Sequence, residues 1–400
     1  MLELLSQVSK LDRIAKLFLA SQFLRALYFA WPIWYGFATL SLSPVQVGIY
    51  FSVLAAVQVF AEIPTGAFAD RYGRKVSALT GAFLLILLPL VMYFGHSFPA
   101  YILCAFLAGI GGAFISGSLE ALLYDHENVS KETFRTILWL EITVFQTGLI
   151  VGAISGGFLY DLHPSLPFVA EAIACFICLL VISQMTEVKS RVSTEMHSYL
   201  SYFKDGIRFL LASKFLIVVV VMGVSSAVAV NASIEFINEA AMIEYGLAPS
   251  ERGLLIGGVK VLALIIINLV MLRFLRKDRS RLLFTAFMGS SIFALLSFSS
   301  FPLFIAGYAA FNLISATQAT FIKPILHDNL PSSHRATAIS SYYAIIGLVT
   351  FGCSWFFGFL VQYFQTPRAT YMLFAVVFVA LITPCALWIA QHLKANPVRA

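Results

Sequence analysis

Apolar residues run along this chain in blocks of about twenty, the length a helix needs to cross a hydrocarbon layer of ~30 Å. Short polar or charged stretches divide the blocks. No water is available inside such a layer, so each block must satisfy its own backbone groups and is predicted to be helical. Twelve spans follow, at 14–40, 45–69, 76–95, 99–123, 136–159, 167–185, 214–240, 251–273, 282–300, 302–326, 336–362 and 370–392. Turn signals fall between several of them: "SLSP" at 41–44, "HSFP" at 96–99, "SSFP" at 299–302 and "TP" at 366–367. The longest polar stretch, Glu187 to Ser213, follows the sixth span. Within it, "YLSYFKDGIRFLLASK" is amphipathic and suits the inner membrane face. The chain is therefore expected to hold a six-helix bundle at 1–186, a linker at 187–213 and a second bundle at 214–400. The opening "MLELLSQVSKLDRIAK" reads as a short interfacial helix rather than a cleaved signal.

Composition agrees with a membrane solvent. Hydrophobic residues make up 60% of the 400 and charged ones 12%, against about 25% charge in soluble domains. The net charge of +6 does not point to nucleic acid, because the bases come in short clusters between apolar runs. Those clusters fall on alternate loops. With both termini in the cytoplasm, Arg252 and Arg368 lie on the far side and Arg25, Lys260 and Lys323 within spans. All the other lysines and arginines lie on cytoplasmic segments, the bias that orients inner-membrane proteins. The five cysteines sit inside apolar runs, and Cys175 and Cys178 lack the companions of a zinc set. There is no phosphate-binding loop, no His-Glu-x-x-His pattern and no cofactor motif, so neither an enzyme nor an ATP-driven pump is expected.

One polar stretch stands out. "GAFADRYGRK", residues 66–75, lies between "VLAAVQVFAEIPT" and "VSALTGAFLLILLPLVMYF". Gly73 permits a tight reversal. Arg71, Arg74 and Lys75 hold the loop in the cytoplasm and can meet anionic lipid. Asp70 calls for a facing cation or a helix N-terminus. Short basic loops recur after spans two and eight, polar segments follow spans four and ten, and spans five and eleven are both glycine-rich. Two parallel six-helix halves of this kind form one large transporter architecture.

These residues resemble the major facilitator superfamily, in its bacterial drug-efflux-like branch. The family's loop between spans two and three reads Gly-x-x-x-Asp-Arg-x-Gly-Arg-Arg/Lys, matched by Gly66, Asp70, Arg71, Gly73, Arg74 and Lys75. The resemblance implies a conformational latch: Asp70 closing against the start of span eleven, near Arg335 to Ala338, and releasing as the halves rock. Span five carries Gly148, Gly152, Gly156 and Gly157, which resembles the family's exporter motif with Ala153 in place of its proline. Small residues at four-residue spacing also let helices approach closely. The family's span-four arginine is missing, since Ala105 stands there. Proton coupling would then need another cation.

Ionisable groups at bilayer depth cost at least a few kcal/mol and are functional candidates. Arg25 lies ~16 Å into span one at 1.5 Å per residue. Its candidate partners are Glu62, Glu120 and Glu141, in a structural ion pair or in a site that exchanges protons. Glu120 and Asp125 are alternative partners for Arg71 or Arg74. Glu235 and Glu239, four apart in span seven, share one helix face, and either one is a candidate to neutralise Lys260. Glu171 is expected at the interface, and Lys323 to snorkel. Asn231, Asn268, Asn312 and Gln318 add polar groups that, with aromatic residues, suit an amphipathic or cationic organic molecule.

The expected protein is an all-α polytopic transporter of twelve spans, a monomer in the cytoplasmic membrane. It is expected to work by alternating access, exporting a small organic molecule against proton entry. Its partners are that substrate, protons and membrane lipids, with no nucleic acid. The alternatives are a metabolite importer or facilitator, or a sensor on the same fold.

Overall fold

A computed structural model describes residues 11–126, 131–187, 199–266, 278–298, 300–330 and 335–395. The expected interfacial helix at the N-terminus and most of the linker before Tyr199 lie outside the described residues, as do Asn268 and the side chains of Gln318 and Lys323. The described backbone is helical throughout its ordered elements, and the helices fall along the twelve predicted spans. Eight of them, among the described residues, are long and apolar enough to cross a membrane: Pro44–Tyr72, Arg74–Gly95, Phe98–Tyr124, Thr136–Leu162, Leu166–Ser183, Lys214–Glu244, Thr337–Phe364 and Arg368–Leu393. Spans nine and ten have shorter apolar stretches, Leu282–Ser297 and Phe301–Leu313. Span eight is described over Pro249–Ile266.

Local chemistry sets the ends. Proline opens or nearly opens spans two, four, six, eight and ten, through Pro44, Pro99, Pro167, Pro249 and Pro302. Its missing N–H costs nothing there, because the first helical N–H groups have no partner within the helix. Gly73, with φ 104°, reverses the chain between spans two and three, and His96 turns it in the left-handed region between three and four.

Span one departs from the sequence reading, which made it continuous. It is a helix over Arg13–Arg25, an interruption, a 3₁₀ turn at Trp31–Ile33 and a short helix at Trp34–Ala38. Pro32 contributes, although Pro64 and Pro89 sit inside continuous helices. Pro32 has no N–H to donate, and its ring crowds the carbonyl four residues back, that of Tyr28, so the short turn that holds it starts afresh at Trp31.

Spans seven and twelve each contain a wide π-turn, at Ser233–Ile237 and Phe378–Ile382. Such turns add a residue to the helical register and occur often at functional sites.

The packing resolves into two units. The first comprises residues 1–42, 53–195 and 247–257; the second comprises 43–52, 196–246 and 258–400. In the first, Ile14 and Phe18 of span one pack with Ala78, Ile115, Leu119, Ile137, Leu140 and Ile182 from spans three to six. In the second, Phe293 is surrounded by Phe311, Phe374 and Phe378 at centroid distances of 5.9, 5.3 and 5.2 Å. Arg368 reaches Glu244 at 2.5 Å, and Thr366 donates to the same carboxylate at 2.8 Å, tying the end of span seven to the loop before span twelve. The amphipathic linker segment forms a helix over Tyr199–Leu210. It packs on the start of span eleven, where Gly206 leaves room for Ser341.

Candidate functional site

The loop between spans two and three is built around a bare helix N-terminus. The first amides of the helix at Arg74 have no partners of their own. Glu187, just past span six, fills the gap: its two oxygens accept from the Arg74 and Lys75 amides at 3.0 and 2.9 Å. A carboxylate there also meets the positive end of the helix dipole. Arg74 turns its guanidinium to the end of span four, donating to the Ala121 carbonyl at 2.8 Å and pairing with Asp125. Of the two acids expected to compete for the loop, Asp125 takes Arg74. Arg71 lies over the Tyr72 ring at 5.3 Å. Asp70 is exposed, and a Cβ on Gly66 would meet open space. Sequence reasoning missed Glu187, which is 113 positions from Arg74.

Deeper in the first unit, the expected network around Arg25 takes a specific form. Gln22 and Arg25, one turn apart on span one, face span five. Arg25 donates to the Gln22 side-chain oxygen at 3.0 Å, while the Gln22 amide nitrogen donates to Glu141. An amide thus bridges the arginine and the carboxylate. Both charges act on Glu141 at longer range: Arg25 attracts it and Glu120 repels it. Glu62 and Glu120 are themselves uncovered by protein. Gln22 was absent from the sequence-based candidates; what marks it is its place between Arg25 and Glu141, which position along the chain does not show.

The glycines of span five have a definite occupant. A Cβ on Gly148 would meet Ala26 Cβ at 2.7 Å; one on Gly152 would meet the Tyr28 amide at 2.8 Å; one on Gly156 would meet the Phe29 carbonyl carbon at 2.7 Å. Three successive turns of span five therefore form the bed on which the interrupted part of span one lies. Gly157 serves a different neighbour, the start of span eight at Pro249 and Ser250. On another side of the interruption lies Glu171. Near the start of span six, it is only 7% exposed and accepts a hydrogen bond from the Ala30 amide at 3.0 Å.

In the second unit, Glu235 lies inside the π-turn of span seven. Its Oε2 is shut off from solvent and has no hydrogen-bond partner among the described residues. Neighbouring Phe236 stacks on Phe51 with centroids 5.5 Å apart. Glu239 is buried, as is Asn238, which accepts from the Tyr371 hydroxyl at 2.7 Å. Lys260 is half-buried in span eight, and Asn312 donates to the Tyr308 carbonyl at 2.9 Å.

Comparison with known proteins gives a consistent picture. Residues 17–277 match the family model described as Major Facilitator Superfamily. The chain is similar to the uncharacterized MFS-type transporter YxaM of Bacillus subtilis (strain 168), 25% identical over 369 residues, which cover 89% of this chain and 90% of that one. It is also 25% identical over 187 residues to Multidrug resistance protein 1 of the same organism, covering 47% of each. Among solved structures, the nucleoside transporter NupG superposes with a TM-score of 0.74 at 12% identity, over 96% of this chain and 100% of that one. At that identity the likeness concerns the fold, and it supports twelve helices in two six-helix halves.

Proposed function

This chain belongs to the major facilitator superfamily, and on that premise we propose that it exports a small organic molecule across the cytoplasmic membrane in exchange for inward-moving protons. Membership makes it a multi-pass membrane transporter of small molecules. The observation that carries the finer reading is the Arg25–Gln22–Glu141 bridge. A charge at this depth is costly unless it has a partner. Protonating Glu141 removes the counter-charge that holds Gln22 and Arg25 in place, and restoring it pulls them back. A proton gradient can drive work through that alternation. Arg25 thereby takes the role that the missing span-four arginine leaves open. The likeness to a multidrug resistance protein favours export. Asp70 is the latch of this cycle, closing on the start of span eleven, while Arg74, Asp125 and Glu187 keep its loop in shape. Glu235, Glu239 and Lys260 are the candidates for substrate contact in the second half.

The test uses the full chain in proteoliposomes with an acidified lumen and ethidium as the probe cation. Ethidium should accumulate in proportion to the gradient, and Glu141→Gln should cut that uptake at least tenfold. Ethidium flux indifferent to the gradient, and unchanged in both Glu62→Gln and Glu141→Gln, would remove proton coupling by these groups.

A further inference from the structure

Glu171 has no part in that scheme, yet the fold buries it against the one interrupted span among the described residues. An unwound stretch leaves backbone amides without their helical partners, and in a low-dielectric surrounding an unsatisfied one is costly. Here the Ala30 amide finds the Glu171 carboxylate at 3.0 Å. From another direction, Gly148, Gly152 and Gly156 bring the backbone of span five within a methyl group's reach of Ala26, Tyr28 and Phe29. The stretch Ala26–Ala30 is therefore held by two spans. The residue immediately before it is Arg25, which ends the helix Arg13–Arg25 and donates to Gln22. Where the interruption rests decides where the guanidinium points.

We propose that Glu171 is a positioning residue for transport. It holds Ala26–Ala30 as a joint between the helix Arg13–Arg25 and the segment Trp31–Ala38, and through that joint it keeps Arg25 on the Gln22–Glu141 pair. A continuous helix would carry any tilt of one end to the other. A joint lets the helix bearing Gln22 and Arg25 change its angle while Trp31–Ala38 stays packed. The proposal rests on the family's transport role and not on the direction or coupling ion inferred above.

The full chain in lipid nanodiscs, followed by hydrogen–deuterium exchange of the peptide covering 26–31, tests the joint without any substrate. The Ala30 amide should exchange at least tenfold faster in Glu171→Ala. In Glu171→Gln, whose amide oxygen still accepts, it should stay within about twofold of the parent. Pro32→Ala supplies the second arm. Restoring the missing donor should heal span one and keep or raise the thermal unfolding temperature, while ethidium flux in proteoliposomes falls at least tenfold. Unchanged exchange in Glu171→Ala would overturn the proposal. So would a Pro32→Ala protein with a healed span and parental flux. If the parent does not move ethidium, the export reading is at fault and the exchange arm still decides on the joint.

Discussion

At Gly73 the backbone takes φ 104° and ψ 148°, a region close to one that residues with a β-carbon occupy only under strain. The same position faces the Glu187 carboxylate, whose Oε2 would stand 2.9 Å from an added Cβ. Gly73→Ala should therefore cost about 1–3 kcal/mol, read as a lower unfolding temperature in detergent. Glu187→Ala alone should cost about 1 kcal/mol, the usual worth of an N-terminal cap. Together the two losses should fall short of their sum, because removing the carboxylate relieves the collision while the backbone strain remains. Strict additivity would show that the Glu187 carboxylate does not collide with an alanine at 73. The two residues also differ in how readable they were. Gly73 announces itself, since a glycine between charged residues at a span boundary marks a reversal. Glu187 does not, because its partner is brought to it only by the packing of span six beside span three.

Elements behave the same way. The number and placement of spans were legible, because the hydrocarbon thickness dictates block length and the blocks are long. The interruption in span one was hidden by its setting: Pro32 sits in an aromatic run that reads as apolar and continuous. The stripe on span five was visible as a packing surface, but what it packs against was not, since spacing gives a face and not a neighbour. That occupant can be checked. Gly156→Ala must push back the Phe29 backbone and should destabilise by about 1–3 kcal/mol, as overpacking does. Gly117→Ala in span four meets nothing within 4 Å. It should be neutral, or stabilise by up to about 1 kcal/mol, since alanine suits a helix interior better than glycine. Equal melting temperatures for the two variants would mean that span one does not lie on that bed.

For the molecule as a whole, the proposed latch sets the balance between states. Asp70→Asn removes a charge whose interaction with a helix terminus is worth about 0.3–1 kcal/mol. The ratio of cytoplasm-open to closed forms should then rise roughly two- to fivefold, with slower transport. Cysteine probes on the cytoplasmic side should label faster by a similar factor. Parental labelling and parental transport together would leave the loop as a topology signal alone. The wide turns of spans seven and twelve bear on a different matter, the history such a chain can have. In a regular helix, losing one residue rotates everything beyond it by about 100° and shows every later side chain to the wrong neighbour. Losing one residue within Ser233–Ile237 or Phe378–Ile382 closes a π-turn into an ordinary one and leaves the flanking faces where they were. A single codon can leave the gene at either place without turning the flanking faces away from their neighbours. At the first of them, that codon can be the one that writes Glu235.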